Sequence, residues 1–324
     1  MRIATFNLES LDAGKPGRLE GEERIAVLRP SLNRLDADVV CLQEVNGQKI
    51  AGHPGRYLTA LDALLKGTQY ETYNRFSTRG PGQVGVGDVH NLVILSRSAI
   101  RDACEFRHQF VKAPTYEQAT ADPPQETADP ITWDRPVLSA TVALAEGRNL
   151  HVLNVHLRAP LAAPVAGQKL SPFVWRSVGG WAEGYFIAAV KRLGQALEIR
   201  LYVEKILKQD PQSLIAVCGD FNADDHDTVL DVIAGAEEDT GNGRLAANTL
   251  AQADRSIAQD RRFSVLHHGR PQMMDHIFAS RTLLGALRKV EIHNEMLEDE
   301  LVGYAKVERS PSSYHAPVVA EFTL

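Results

Sequence analysis

Short apolar runs along this chain repeatedly end at a polar residue. The run 214–218 leads into Gly219-Asp220-Phe221-Asn222, and the strand-like segment 2–6 leads into Asn7. Short apolar runs are typical of buried strands, and ligands of α/β proteins usually bind just beyond strand ends. The pattern therefore predicts a polar site at the rim of a sheet, bordered by Asn7, Glu44, His156, Asp220, Asp275 and His315.

Three segments are predicted to be helices, at residues 22–35, 57–65 and 186–208. In the last, Phe186, Val190, Leu193, Leu197 and Leu201 form one apolar stripe at helical spacing. The polar turn 146–149 predicts a hairpin between two strands. Strands are predicted at 2–7, 39–42, 70–73, 92–95, 137–144, 150–155, 214–218, 263–266, 275–279, 287–292 and 317–322.

Many short strands, several antiparallel pairs and a few helices predict an α/β fold in four layers. In this sandwich, two packed and mainly antiparallel β-sheets are flanked by helices. The sequence shows neither an internal repeat nor a composition change that marks a boundary, so residues 1–324 are predicted to form a single domain. Residues 105–134, rich in Pro, Ala, Thr and acids, are predicted to be a surface insertion.

A second irregular segment, residues 158–181, follows His156. It interleaves Arg158, Lys169 and Arg176 with the aromatic residues Phe173, Trp175 and Trp181. Such a lid loop could bind phosphates and stack bases, pack its aromatics on the body of the protein, or touch a lipid surface.

Composition adds modest constraints. The chain is 44% hydrophobic and 23% charged, as in ordinary globular proteins, and has no apolar run of membrane-spanning length. A strand that starts at Arg2 leaves no room for a secretory signal, and the three cysteines are scattered, two of them in apolar runs. These features predict reduced cysteines, a cytoplasmic protein and no stable membrane insertion.

The net charge of −6 opposes a tight, non-specific nucleic-acid binder, although a metal ion or a local basic loop can supply the positive field that phosphate needs. Taken singly, each polar residue at a strand end is usually a cap or a surface residue. As a set, the oxygen ligands fit Mg²⁺ or Mn²⁺ rather than zinc or copper: Asn7, Glu9, Glu44, Asp220, Asn222 and Asp275. Together with two histidines, this set suits metal-assisted cleavage of a phosphate ester without a covalent nucleophile.

The sequence resembles the endonuclease/exonuclease/phosphatase superfamily, which includes deoxyribonucleases, abasic-site endonucleases, inositol-polyphosphate 5-phosphatases and neutral sphingomyelinases. The resemblance spans nearly the whole chain. It rests on eight motifs in the family's order: Thr5-Phe6-Asn7, Leu42-Gln43-Glu44, Ile94-Leu95-Ser96-Arg97, Arg135-Pro136, Asn154-Val155-His156-Leu157, Gly219-Asp220-Phe221-Asn222, Met274-Asp275-His276-Ile277 and Tyr314-His315.

The resemblance implies a role for each site residue. Glu44 would bind the metal, with Glu9 and Asn7 close to the metal or the phosphate. Asp220 would orient or deprotonate the attacking water, and Asn222 would hydrogen-bond the phosphate.

The two histidines also receive roles from the resemblance. His156 would contact the phosphate or assist the leaving group, and His315 would be bonded to Asp275, which fixes its tautomer and favours its charged form. Arg158 and Asn91 are added as candidate substrate-binding residues, because one opens the lid loop and the other borders the site.

One position departs from the family. Its last motif usually reads Ser-Asp-His, whereas this chain reads Ser313-Tyr314-His315 and so lacks a carboxylate that often contacts the metal or its water. A second metal site is therefore in question.

The sequence thus predicts a Mg²⁺- or Mn²⁺-dependent phosphodiesterase of nuclease type, with nucleic acid as one candidate substrate. Two alternatives stay open: a phosphomonoesterase or lipid-headgroup hydrolase, and a catalytically impaired phosphate-binding module. The sequence does not indicate an oligomeric state.

Overall fold

The computed structural model describes residues 1–13, 20–300 and 310–324. In chain order its strands are β1 (Arg2–Leu11), β2 (Val39–Val45), β3 (Gln48–Lys49), β4 (Arg56–Tyr57), β5 (Asn74–Ser77), β6 (Asn91–Ser96), β7 (Ile100–Phe106), β8 (Thr115–Tyr116), β9 (Asp129–Pro130), β10 (Val137–Ala143), β11 (Asn149–His156), β12 (Lys169–Ser171), β13 (Val174–Trp175), β14 (Leu214–Asp220), β15 (Leu250–Gln252), β16 (Val265–His267), β17 (Arg270–Gln272), β18 (Asp275–Ser280), β19 (Leu287–Ile292) and β20 (Val318–Phe322). The helices are α1 (Glu20–Arg34), α2 (Thr59–Leu65), α3 (Val178–Gln209), α4 (Thr228–Ala234), α5 (Glu237–Thr240) and α6 (Arg281–Leu284).

Two six-stranded sheets form the body. The first runs β19-β20-β1-β2-β6-β5, and the second runs β15-β18-β14-β11-β10-β7. Each sheet has one parallel pair at its centre, β1–β2 in the first and β11–β14 in the second, and its other pairings are antiparallel. The sheets are therefore mainly antiparallel, as the sequence predicted.

Alternation of side chains along the strands builds three apolar layers. Ile3 and Cys41 of the first sheet pack with Val152 and Cys218 of the second in the core between the sheets. The opposite face of the first sheet packs against α1 and α2, and that of the second packs against α3 and α4. This arrangement confirms the predicted four-layer sandwich.

A buried polar seam joins the two sheets within the apolar core. The side-chain amide of Gln43 donates to Asn154 Oδ1 across the sheets at 2.7 Å, and Asn154 donates in return to the carbonyls of Leu42 and Val93. Thr5 hydrogen-bonds Gln43 within the first sheet. Because unpaired buried polar groups are costly, this seam fixes how the sheets are offset.

The strand topology brings the predicted site residues to one edge. The parallel pairs end there, at Glu44 in β2 and at His156 and Asp220 in β11 and β14, and Asn7 lies near the end of β1. Their antiparallel neighbours β6, β18 and β20 begin at the same edge, so Asp275 and His315 reach it from the other direction.

Two of the predicted elements differ from the structure in type or by a full helical turn or more in their start. Residues 70–73 are not a strand, because Tyr70 is fully buried and its hydroxyl accepts the N–H of Ala37, which holds a 3-10 turn over Gln69–Thr72; the strand β5 follows it. Helix α3 begins at Val178, eight residues before its predicted start, where Ser177 Oγ accepts the N–H of Gly180. Residues 178–181 of the predicted lid are therefore helical.

The apolar stripe predicted on α3 lies on its exposed side. Phe186, Leu193, Leu197 and Leu201 are all exposed. The buried side combines apolar residues such as Ile199 and Val203 with the charged residues Glu183 and Glu198, and these interspersed charges are why the sequence pattern identifies the wrong face.

Two carboxylates of α3 anchor the segment 105–134. Glu198, fully buried, accepts the backbone N–H groups of His108, Gln109 and Phe110 and the indole N–H of Trp133. Glu183 accepts the N–H groups of residues 119 and 120 and the Tyr116 hydroxyl. The segment is thus held by charge-assisted hydrogen bonds, with Trp133 only 1% exposed.

Replacement of Glu198 by Leu should reduce the free energy of unfolding by about 3 kcal/mol, because four donors would lose their acceptor in a buried position. Urea unfolding followed by tryptophan fluorescence measures this. The matched Glu204→Leu variant, at an ion pair on the same helix in which the Glu204 side chain is 29% exposed, should change the value by less than about 1 kcal/mol. Equal effects of the two substitutions would contradict the anchoring role.

Candidate functional site

The polar edge of the sandwich holds a cleft of about 380 Å³. It is lined by Glu9, Ser10, Arg24, Glu44, His90, Arg135, His156, Ala159, Asp220, Asn222, Glu300, Ser310, Tyr314 and His315. Two further predicted residues, Asn7 and Asp275, are fully buried and hydrogen-bond Asp220 and His315. Eight predicted site residues thus converge at one place from both sheets.

The backbone is strained around this cleft. Five of its non-glycine residues adopt positive φ angles between 47° and 57°: Glu9, Ser10, Glu44, His90 and Asn222. Strand pairing shifts register between Asn7 and Leu11 and between Leu42 and Val45, so the positive angles at Glu9, Ser10 and Glu44 coincide with β-bulges. Such bulges re-aim side chains and are concentrated at functional sites.

Gly219 places Asp220 beside His156. Its φ is +152°, and a Cβ atom there would lie 1.9 Å from the carbonyl oxygen of Val155, its parallel partner on β11. Only glycine permits this close approach.

Asp220 is the centre of the hydrogen-bond network. Its Oδ2 accepts from Asn7 Nδ2 at 2.9 Å and from Asn222 Nδ2 at 3.1 Å, and its Oδ1 accepts the N–H of Asn222 at 2.8 Å. His156 Nε2 lies 3.3 Å from the same Oδ2. Burial raises the pKa of Asp220 to about 7, with Asp275 reinforcing the shift and the His315 cation opposing it.

His315 and Asp275 form a short ion pair. His315 Nδ1 lies 2.8 Å from Asp275 Oδ2, and the backbone N–H of His315 donates to Ser313 Oγ, which donates to the Asn7 carbonyl. Burial alone would lower the pKa of His315, but the carboxylates of Asp275 and Asp220 raise it to about 10. The site therefore holds an imidazolium at neutral pH, with 17% of its side chain exposed.

His156 has the opposite electrostatic character. It is 2% exposed, and burial together with the positive charge of Arg135 lowers its pKa well below the usual value. Its Nε2 lies between Asp220 and Glu44, 3.7 Å from Glu44 Oε1. His156 is therefore neutral at pH 7 and offers an N–H or a lone pair at the centre of the cleft.

Glu44 faces the cleft beside a second histidine. Its Oε2 accepts from Ser10 Oγ at 3.1 Å and lies 3.5 Å from His90 Nδ1. Burial opposes ionisation, but the hydrogen bond with His90 lowers the pKa of Glu44. Glu44 is therefore an anion at neutral pH.

Glu9 is oriented by the motif Ser313-Tyr314-His315. Its Oε2 accepts the backbone N–H of Tyr314 at 2.8 Å, and burial raises the pKa of Glu9 against the effect of that bond. Arg24 donates to the carbonyls of Leu8 and Glu9 and so supports this turn. The Tyr314 side chain is 3% exposed, so the residue that departs from the family packs inside the protein.

The two amide side chains predicted to bind metal or phosphate bond mainly to protein groups. Asn7 Oδ1 accepts the N–H of Glu9, while its Nδ2 donates to Asp220. The side-chain amide of Asn222 donates one hydrogen bond to the Leu157 carbonyl and one to Asp220, so both of its N–H groups are used. In this geometry both side chains position Asp220.

Two predicted substrate-binding residues lie outside the lining of the cleft. Asn91 is 2% exposed and bonds to Val45, Thr78 and Gly87, so its amide holds the preceding loop. The Arg158 guanidinium is paired with Asp134 at 2.5 Å.

Sequence reasoning assigned no role to several residues of the cleft, among them Ser10, Arg24 and Arg135, and named His90, with Asn91, only as bordering the site. Arg135 lies in one of the quoted motifs, which is a usable signal. His90 directly precedes β6, a position equivalent to that of the other site residues at strand ends. No sequence pattern identifies Ser10 or Arg24 as a site residue. Ser10 reaches the cleft because of the bulge in β1, and Arg24 reaches it from helix α1.

Among the described residues, two groups of side chains could each share a divalent cation: Glu44 with His90 and His156, and Asp220 with Asp275 and His315. Within each group the candidate ligand atoms lie within 4.8 Å of one another. In the second group His315 holds a proton that a metal would have to displace, whereas in the first Glu44 is already anionic. The group around Glu44 therefore fits a divalent cation better, with the Glu44 carboxylate as its anionic ligand.

Comparisons with known proteins agree with this geometry. The sequence model of the "Endonuclease/Exonuclease/phosphatase family" matches residues 4–296. No protein with a curated description gives a significant match to the sequence.

Several solved structures share the fold at low identity. A mannosyl-6-phosphatase from Bacteroides thetaiotaomicron has a TM-score of 0.61 at 15% identity, with 100% of each chain covered. The 3′ phosphatase NExo from Neisseria, bound to a product DNA hairpin, has a TM-score of 0.55 at 16% identity, again with 100% of each chain covered. An endonuclease/exonuclease/phosphatase from Bacteroides vulgatus has a TM-score of 0.59 at 17% identity, with 99% of this chain and 98% of that chain covered.

In the metal-free protein, the imidazole of His315 should stay protonated through neutral pH and titrate near pH 10. NMR of its Cε1 proton, assigned with His315→Gln, measures this. Because the folded pKa exceeds the unfolded value, the ion pair stabilises the fold fully below about pH 6.5 and loses this effect as pH rises through about 10.

Asp275→Asn should move this titration down toward the ordinary histidine range. Asp88→Asn, at an exposed carboxylate, should leave it in place. A His315 resonance that titrates near pH 6.5 in the unmodified protein would contradict the assignment.

Proposed function

We propose that this chain, which belongs to the endonuclease/exonuclease/phosphatase family, hydrolyses a phosphodiester in a reaction that depends on a divalent metal ion. Members of the family are phosphoester hydrolases. The observation that carries the proposal is the placement of Asp220, a buried carboxylate with its pKa raised to about 7, between His156 and the amides of Asn7 and Asn222. We also propose that residues 1–324 form a single domain.

Asp220 is the general base in this proposal. A base works best when its pKa lies near the working pH, because it is then ionised yet still basic enough to take a proton from water. Asn7 and Asn222 restrict the carboxylate to one orientation, so the water it binds attacks from a fixed direction.

The cations of the cleft bind the phosphate. The His315 imidazolium and the Arg135 guanidinium both line the cleft, and their charges suit the non-bridging phosphate oxygens. Neutral His156 lies between Asp220 and Glu44, where its Nε2–H can donate to a phosphate oxygen or to the leaving group.

Glu44, with Glu9 nearby, would hold the cation, which we propose to be Mg²⁺ or Mn²⁺. When bound there, the cation neutralises charge that develops on the phosphate. His90 and Ser10 orient the Glu44 carboxylate.

Hydrolysis of a phosphomonoester is the second candidate. It is favoured by the two cationic side chains, Arg135 and His315, which together match the double charge of a monoester. Two of the solved structures with this fold are named as phosphatases.

The described residues contain no helix long and apolar enough to cross a membrane.

The first experiment compares hydrolysis of bis-p-nitrophenyl phosphate and p-nitrophenyl phosphate with Mg²⁺, Mn²⁺ or EDTA. We expect metal-dependent cleavage of the diester, and roughly a thousandfold lower kcat in Asp220→Asn, because general-base catalysis contributes about this much. Asp224→Asn, an exposed carboxylate on the following loop, serves as the matched control and should retain activity.

Three outcomes of this experiment would change the account. Preference for the monoester would favour the phosphatase. An unaltered rate in Asp220→Asn would remove Asp220 from the reaction. No turnover of either ester, with a folded protein, would favour the impaired phosphate-binding module suggested by Tyr314.

Glu44→Gln should weaken Mn²⁺ binding by roughly tenfold or more, since loss even of groups that support a metal ligand costs this much. Titration calorimetry measures the affinity directly, without turnover. Glu105→Gln, outside the cleft lining, should leave the affinity unchanged. Wild-type affinity in Glu44→Gln would exclude this carboxylate as a ligand.

A further inference from the structure

A second cavity, of about 360 Å³, adjoins the cleft. The two share His90 and Arg135 in their linings, so they are neighbouring parts of one depression. The rest of the second cavity comes from the loop before β6, the end of β7 and the start of β10, none of which has a role in the proposed chemistry.

Three arginines line this second cavity: Arg79, Arg107 and Arg135. Among the described residues, none of their guanidinium groups has a carboxylate within 4.0 Å. Arg107 donates to the Trp133 carbonyl, and Arg135 contacts His90 Nδ1 at 3.5 Å. Unlike Arg158, which is paired with Asp134, these three keep their charge available to a ligand.

The acidic residues of the cavity do not cancel that charge. Asp134 is paired with Arg158 at 2.5 Å and with Lys191 at 2.7 Å. Glu105 accepts the backbone N–H of Arg79 at 2.9 Å, and its single negative charge stands against the three positive charges of the guanidinium groups. The cavity is therefore a local region of positive charge in a chain whose net charge is −6.

The loops that carry these arginines are fixed by internal hydrogen bonds. Asn91 Oδ1 accepts from Thr78 Oγ1 at 3.0 Å and from the Gly87 N–H at 2.7 Å, and its amide donates to the Gly87 carbonyl. Gln195 Nε2 donates to the Arg135 carbonyl at 3.0 Å. The backbone that carries Arg79 and Arg135 is therefore ordered, which lowers the entropic cost of bringing their charges to one anion.

We infer that this cavity, the arginine pocket formed around Arg79, Arg107 and Arg135, binds a second phosphate of the substrate beside the phosphate that is cleaved. The inference rests on the proposed function. Guanidinium groups match phosphate oxygens geometrically, and Arg135, which belongs to both cavities, lies between the two phosphates. The phenyl ring of Phe106 is 4% exposed, and the imidazole of His90 is engaged with Glu44, so the pocket recognises phosphate rather than a stacked base.

Two kinds of substrate carry such a second phosphate: a nucleic-acid strand and a small bisphosphorylated molecule. The test uses p-nitrophenyl phosphodiesters of thymidine and of propane-1,3-diol, each with and without a phosphate on the other hydroxyl. We expect the second phosphate to raise kcat/KM by roughly tenfold or more, a factor that corresponds to about 1.4 kcal/mol. A gain with thymidine alone identifies the nucleic-acid strand, and a gain with both identifies the small bisphosphate.

The variants test the pocket itself. In the Arg79→Ala/Arg107→Ala double variant, the ratio of kcat/KM with and without the second phosphate should fall toward one. Arg101→Ala removes an exposed arginine outside the pocket, on the strand β7 that Arg107 directly follows, and should keep the wild-type ratio. A ratio near one in the wild type, or an unchanged ratio in the double variant, would overturn the inference.

Binding separates this inference from the proposed function. Calorimetry should show that thymidine 3′,5′-bisphosphate binds more tightly than thymidine 5′-monophosphate, and that the double variant loses the difference. This result supports the pocket even if no ester is turned over. Metal-dependent turnover without any such difference in affinity would retain the proposed function and exclude the pocket.

Discussion

The hydrogen bond between Asn7 and Asp220 joins the two sheets at the point where the site forms. Asn7 belongs to β1 in the first sheet and Asp220 to β14 in the second, and both are almost fully buried. The seam between Gln43 and Asn154 links the same sheets through their side chains. Because these polar groups have no water to replace a lost partner, the sheets have one favourable offset, and that offset aligns the ends of the central strands.

The same burial sets the electrostatics of the site. Desolvation raises the pKa of Asp220 and lowers that of His156, whereas paired carboxylates raise that of His315. At neutral pH, Asp220 is therefore close to its pKa, His156 is neutral and His315 is protonated. Such differences between neighbouring groups allow separate roles in acid and base chemistry. Strained backbone at Glu9, Glu44 and Asn222 shows that the surrounding fold stabilises a geometry that is locally unfavourable.

Much of the fold and the central site could be predicted from the sequence. Asn7, Glu44, His156 and Asp220 follow apolar runs, and strand ends meet at one edge in a sandwich of this type. The hydrogen bonds that turn Asn91 away from the cleft could not be predicted, because they depend on loop conformation. The ion pair of Arg158 could not be predicted either, because its partner Asp134 is remote in sequence. The buried face of α3 was also hidden, since Glu183 and Glu198 face inward to bind backbone N–H groups.

The central claim is that water attacks phosphorus directly, with Asp220 as the base and no covalent intermediate on the protein. It is tested most directly by the stereochemistry of hydrolysis of a chiral thymidine p-nitrophenyl phosphorothioate in ¹⁸O-labelled water, followed by ³¹P NMR. A single in-line displacement predicts inversion of configuration and ¹⁸O on the phosphorus product. Retention of configuration would require two displacements and would contradict the account.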